Sequence, residues 1–255
     1  IIAGVRADII SADYNRANQV SSLTNRSAND LYRQFYGYGS QKEDELNLGG
    51  LIRLENQVTT SSKLKIGASR SVRTADSTER GLANDMVMMG NNLSWVGNPQ
   101  IKPEKHHQLD VGLAYSEQKL QAGFSVYYNQ VNDYILRDSA RGQLGILVNS
   151  PSADIYSNVE AYLAGAEFET LYQALPELNI GLNFFYTYGK NKTYNIPLAQ
   201  IPAFQGNLFT NFVFKDRLTI TPELVWAFKQ TRIDSNTALG SGRDIHATPG
   251  YTIWN

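Results

Sequence analysis

The side chains with chemistry to offer are few, and several cluster. All three methionines of the chain, Met86, Met88 and Met89, fall within four consecutive residues. Thioether sulfur is a soft ligand that selects Cu(I) over harder ions, so this spacing reads as a metal-capture site. The plainer reading is flexible apolar filling where a loop packs over the barrel mouth. His106 and His107 add imidazole, which suits copper. Neighbours on a strand point to opposite sides, so at most one of the two faces a lumen, and a rim histidine is otherwise simply solvated. His246 is the only other histidine, also in a predicted loop. Glu167 and Glu169 stand at alternate positions, as do Arg53 and Glu55. A carboxylate pair suits acid–base catalysis. With three histidines at loops or rims, no Ser–His–carboxylate arrangement can be argued, and the chain is not expected to be an enzyme. Four aromatics, Tyr32, Phe35, Tyr36 and Tyr38, stand near Arg33. They could stack on a flat chelate, or fold onto neighbouring segments at headgroup level.

The elements that must position these groups announce themselves by alternation. In residues 177–190, Leu178, Ile180, Leu182, Phe184, Tyr186 and Tyr188 take every even position, and Asn179, Gly181, Asn183, Thr187 and Gly189 most odd ones. A strand sends alternate side chains to opposite faces, so one face is greasy and the other small and polar. The segment outruns the usual soluble strand of about 5–6 residues. It suits a membrane-barrel strand, which needs roughly 9–11 tilted residues with lipid outside and a wet lumen inside. The pattern recurs over residues 217–229 (with Pro222 at a bulge or a poorly bonded position), 203–214, 119–130, 107–116, 62–73 and 46–58. Strands at 3–14 and 156–172 are less regular, and one is just begun at 251–255. Short connections at 59–62, 116–119, 173–177 and 215–217 alternate with long ones at 16–45, 74–105, 137–155, 191–202 and 231–249. Tight turns on one rim and long loops on the other mark an outer-membrane barrel, with the long loops outside the cell. A soluble β-sandwich can alternate residues but has no reason to segregate loop length this way.

Composition agrees. The chain of 255 residues has no run of about 20 apolar residues, so no membrane helix is expected. Fifteen Tyr, ten Phe and three Trp suit aromatic girdles at the two interfaces. Zero Cys excludes a disulfide framework and Cys-zinc sites. A net charge of −1 gives no support for nucleic acid as a partner. Nine full strands and a tenth begun, with no export signal, are expected of a segment of a larger barrel.

Three stretches carry a family likeness. Gly97-Asn98-Pro99-Gln100-Ile101-Lys102-Pro103-Glu104-Lys105 resembles the GNPxLKPEK loop of TonB-dependent outer-membrane receptors. Asn158-Val159 through Gly165-Ala166-Glu167 resembles their NVxxAxxxGxE strand, and Ile201-Pro202-Ala203-Phe204 the IP before a later strand. The run from Lys102 to Asp110, with Ser71 to Arg80 upstream, is similar to the copper-receptor branch. The resemblance implies that residues 1–255 are part of a single all-β domain, an antiparallel transmembrane barrel of 22 strands closed by an N-terminal plug. The chain would hold roughly strands 11 to 20, without the plug. Implied partners are the outer-membrane bilayer, the chain's own plug and a TonB-type energising protein. The implied substrate is copper, with a ferric siderophore or another metal chelate as the alternative; a passive porin would lack the GNPxLKPEK loop. In the copper branch the principal ligands lie in the plug and an earlier loop, so no position here inherits that role. No cofactor is expected.

Overall fold

The computed structural model describes residues 1–88, 90–215, 217–235 and 246–255. It consists of β1 (Ile2–Ala12), α1 (Ala28–Tyr36), β2 (Glu43–Gln57), β3 (Ser62–Arg73) and α2 (Ser77–Gly81). Four two-residue strands follow: β4 (Ala83–Asn84), β5 (Val87–Met88), β6 (Asn91–Asn92) and β7 (Trp95–Val96). Then come β8 (Glu104–Glu117), β9 (Leu120–Arg141), β10 (Asn149–Leu175), β11 (Leu178–Asn191) and β12 (Ile196–Pro197). The chain ends with β13 (Gln205–Phe214), β14 (Leu218–Ile220), β15 (Glu223–Ala227) and β16 (Tyr251–Trp254). The main sheet runs β1-β2-β3-β8-β9-β10-β11-β13-β15-β16, an antiparallel meander. Its two edges, β1 and β16, are not joined to each other. This is the sheet of a barrel left open.

The register explains why these residues chose these strands. Leu64, Leu113, Phe124, Phe168 and Phe184 stand directly opposite one another across β3, β8, β9, β10 and β11. The row above is Ile66, Val111, Val126, Ala166 and Tyr186, and the next is Ala68, Leu109, Tyr128, Ala164 and Tyr188. These rows are the outer face. Leu109, Val111, Leu113, Phe124 and Tyr128 stay more than a third exposed because a bilayer, not a protein core, is their solvent. Rings tie the rows together: Phe168 on Phe184 at 5.1 Å, and Tyr128 on Tyr162 on Tyr188 at 5.7 and 5.8 Å. From Tyr162 down to Tyr172 the strand climbs about 33 Å along its axis at ~3.3 Å per residue. At a tilt of about 40° that is ~25 Å of height, the apolar band of a barrel. No described helix is long and apolar enough to cross a membrane.

Small residues on the inner face let neighbouring rings lie flat. The Phe209 ring occupies the space a side chain at Gly181 would need, and Tyr127 comes within 2.5 Å of where a Cβ on Gly165 would stand.

Several expected boundaries are corrected. The long loop at 137–155 is mostly paired strand. β9 continues to Arg141 and β10 begins at Asn149, leaving a tip of seven residues, 142–148. A register shift between Val159 and Ala161, with Asp133 at φ +58°, breaks the alternation that would have shown this. The loop at 16–45 contains α1. The strand at 217–229 is split into β14 and β15, since Pro222 has no N–H for the ladder. The turns at 118–119 and 176–177 are as tight as expected. In the turn at 215–217, Asp216 lies outside the described residues, as do 236–245 of the last long loop.

Candidate functional site

Above the apolar band the long loops assemble into a cap with its own core. The stretch Ser27-Ala28-Asn29-Asp30 starts α1 with a capping box. Ser27 Oγ accepts from the Asp30 amide at 3.2 Å, and Asp30 accepts from the Ser27 amide at 2.8 Å. Gly37, at φ +83°, ends the helix in the left-handed region that glycine enters freely. One face of α1 buries Leu31, Tyr32, Phe35 and Tyr36 against Val96 of β7, Ala140 of β9, Ile146 of the hairpin tip, and Ala153 and Ile155 of β10. The aromatic run is therefore core, not a ligand platform. Its hydroxyls act as cross-ties. Tyr36 donates to the Val96 carbonyl at 2.8 Å and accepts from the Tyr156 amide at 3.1 Å, while Tyr32 donates to the Gly81 carbonyl at 2.7 Å. Burial pushes the Tyr32 hydroxyl up to about 12 and raises that of Tyr36 further.

The motif stretches fasten this cap to the sheet. Gly97 passes so close to α2 that a Cβ there would meet the Thr78 carbonyl oxygen at 2.8 Å, so only glycine fits without displacement. Asn98 accepts from Tyr38 at 2.8 Å and from the Gln100 amide at 3.0 Å. Asn158, from the second motif stretch, exchanges two 2.9 Å bonds with the backbone of Lys102 in the first. Its amide also donates to the Asp133 carbonyl at 2.7 Å.

Glu104 is the deepest member of this clasp, its side chain 4% exposed. It accepts from Arg73 Nε and Nη2 at 2.8 and 2.9 Å and from the Ile135 amide at 2.8 Å, and pairs with His106 Nε2 at 3.1 Å. Burial alone would raise the Glu104 carboxyl, but Arg73, His106 and the Ile135 amide together hold it at about 2. Because that value lies below the ordinary carboxylate range, the clasp is fully present above about pH 4.5 and is lost as pH falls toward 2. Arg73 reaches on to Glu79 of α2 at 2.9 Å, and Arg80 pairs with Glu45 of β2. At the hairpin tip, Asp138 is wholly buried. It accepts from Arg141 at 2.5 Å, the Ser139 amide at 2.7 Å and Gln143 at 3.2 Å.

The inner face offers a second surface, a trough of about 870 Å³ lined by Lys65, Ser125, Glu167, Glu169, Asn183 and Asn207 among others. Asn183 donates to Asn207 at 3.1 Å, and Asn207 to Glu223 at 2.7 Å. Glu167 and Glu169 are thus two polar groups in a wide, wet, hydrogen-bonding wall.

The family model described as TonB dependent receptor-like, beta-barrel matches residues 1–255. The chain belongs to the TonB-dependent receptor β-barrel family. None of the curated proteins matches it in sequence. Among solved structures, the copper transporter OprC superposes with a TM-score of 0.73 at 24% identity, covering 99% of this chain and 36% of that one. The ferric enterobactin receptor PfeA from Pseudomonas aeruginosa gives 0.65 at 20% identity, over 84% of this chain and 33% of the other. The siderophore receptor PirA from Acinetobacter baumannii gives 0.61 at 15%, over 84% and 35%. The chain spans about a third of the length of each, and at these identities the likeness shows the fold.

In this TonB-dependent receptor barrel, an outer-membrane protein, the sequence-predicted ligands are dispersed. Met86 is 45% exposed in the loop after α2, its amide donating to Ser94 Oγ at 3.2 Å. Met88 pairs with Asn91 in the β5–β6 hairpin, and Met89 lies outside the described residues. His106 faces inward, one ring nitrogen on Glu104 and the other 3.0 Å from Asn129 Nδ2. His107 occupies the opposite, outer face, across from Arg70. His246 is exposed. Among the described residues no three His, Asp or Glu side chains gather to hold a metal ion. The clasp residues Arg73, Glu104 and Asn158 went unread as a unit because they are distant in sequence, and only the motif stretches hinted at them.

Proposed function

We propose that the chain forms part of an outer-membrane receptor that binds a metal or metal chelate outside the cell and imports it, with copper as the substrate. The observation that carries this reading is the superposition on the copper transporter over nearly the whole chain. The ferric enterobactin receptor superposes over a smaller part with a lower score. In this account the plug and the TonB-type energising protein supply the gating, and the barrel supplies the wall and the cap. The methionine run serves as a first, shallow Cu(I) site, because soft sulfur on an exposed loop is suited to capture. His106 would have to give up Glu104 or Asn129 to bind metal, so it is a later stop than the methionines, while His107, on the outer face, lies off the path.

The test is Cu(I) binding and energised copper uptake by the full-length receptor carrying Met86→Leu, Met88→Leu and Met89→Leu together. A partial loss is expected, less than tenfold or about 1.4 kcal/mol, since the principal ligands lie elsewhere. Unchanged uptake would reduce the run to packing. Uptake of a ferric siderophore with no copper binding would remove the copper assignment and leave the ferric-siderophore alternative.

A further inference from the structure

The loop between β11 and β13 turns back over the inner wall instead of standing up from the barrel. Odd positions in the spanning parts of β9, β10 and β11 face the lumen, and the loop settles on three of them. Leu198, 1% exposed, packs on Val131 and Ala161, with Ile201 and Leu163 at its margin. Beside them Gly189 leaves room for the loop, since a Cβ there would stand 2.7 Å from Ile201 and 3.2 Å from Leu198.

The tuck is fastened at both ends. On the way in, β12 pairs with the end of β11, Ile196 with Asn191 and Pro197 with Lys190. The Leu198 amide then donates to the Gly189 carbonyl at 3.1 Å. On the way out, Gln230, 8% exposed, donates through its side-chain amide to the carbonyls of Ile201 and Pro202 at 2.9 and 3.1 Å. Pro197 and Pro202 bracket the segment with restricted φ, and Gln200 turns it at φ +61°. A strap with a buried apolar anchor and bonds at both ends is a standing part of the wall, not a swinging loop.

This strap overhangs the trough. Phe185 and Asn183, on the same face of β11 as Gly189, line the trough, and so does Gln205, the first residue of β13. A layer packed on a sheet through apolar side chains stands roughly 10 Å off it, so the loop end of the trough is narrowed by about that thickness.

We propose that residues 198–202 form a fixed sill that limits the size of solute entering the trough from the loop end. Leu198 and Ile201 seat it on the wall, and Gln230 is the residue that positions it. On the import reading above, a bare or lightly ligated metal ion passes the sill and a bulky chelate is slowed. The sill itself rests only on the part of that reading that turns the loop end outward.

The test is thiol labelling of the full-length receptor on intact cells, with Ser125→Cys placed in the trough and read against the receptor without it. The probes are N-ethylmaleimide and a maleimide on a polyethylene glycol chain too bulky for passive pores. Leu144→Cys, exposed at the tip of the β9–β10 hairpin, gives the reference ratio of the two rates. At Ser125→Cys the polymer should fall behind by at least about tenfold more than at the reference. Leu198→Gly with Ile201→Gly should narrow that gap severalfold and leave the rate of the small reagent unchanged. Heat-modifiable gel mobility reports folding. Should the double variant fail to fold, Gln230→Ala, which frees the carbonyls and keeps the apolar anchor, should still narrow the gap measurably. A ratio at Ser125→Cys equal to the reference, a ratio unchanged in folded variants, or a thiol reached by neither reagent would each overturn the sill. Protection of Leu144→Cys from the polymer would contradict the outward loop end itself, and the sill's entrance with it.

Discussion

Replacing Asp138 by alanine should loosen the tip of the β9–β10 hairpin by about 3–5 kcal/mol, the largest single effect expected in the cap. Burial pushes the Asp138 carboxyl up, against the pull of Arg141 and the Ser139 amide, so the ionised pair is no bargain in itself. The cost of the substitution comes from what is left behind. Arg141 is only 7% exposed, and the substitution takes a 2.5 Å charged contact away from a guanidinium that stays buried, together with the carboxylate bond of the Ser139 amide. Hydrogen exchange of amides 139–149 should accelerate sharply, while those of β11 should not change. The double replacement Asp138→Ala with Arg141→Leu should recover much of the loss, because the buried guanidinium goes together with its carboxylate. If the single variant exchanges like the parent, Arg141 finds water more easily than its burial implies.

Phe184→Arg should destabilise the barrel in lipid by roughly 2–4 kcal/mol, because residue 184 stands near mid-height on the outer face of β11, opposite Phe168. The neighbouring Asn183→Arg should cost about 1 kcal/mol, since it faces the wet lumen and forfeits one hydrogen bond to Asn207. Denaturant unfolding in lipid vesicles measures both. The contrast between adjacent positions is the point. Equal costs would mean that the two faces of this strand have been assigned wrongly.

Much of the wall was legible because each lipid-facing residue declares itself locally. Phe168 and Phe184 are apolar at alternate positions whatever else the chain does, and their pairing follows once the turn at 176–177 fixes the register. The cap was not legible in the same way. α1 carries a readable start in Ser27 and Asp30 and a readable stop in Gly37, yet it lay inside a stretch read as loop. The upper parts of β9 and β10 defeat alternation for a physical reason. Past the bulge at Val159 and Ala161, both faces are covered, one by α1 and β7 and the other by Ala75 and Ile101 around Tyr156. A strand buried on both sides carries no two-residue rhythm. The clasp of Arg73, Glu104 and Asn158 depends on segments distant in sequence, and no spacing rule finds such a set. A metal site is the least legible, since the candidates Met86, His106 and His107 are separated onto a loop, an inner face and an outer face.

The cap and the long loops are expected to face outward from the outer-membrane barrel, with its tight turns toward the periplasm. These 255 residues hold no cysteine, so a single cysteine introduced here is the only thiol in this part of the receptor. Leu144, fully exposed at the hairpin tip, and Thr60, exposed in the β2–β3 turn, sit at opposite ends of the strands. A membrane-impermeant maleimide should label Leu144→Cys on intact cells and Thr60→Cys only after the outer membrane is permeabilised. Labelling of Thr60→Cys on intact cells, with Leu144→Cys protected, would contradict the account.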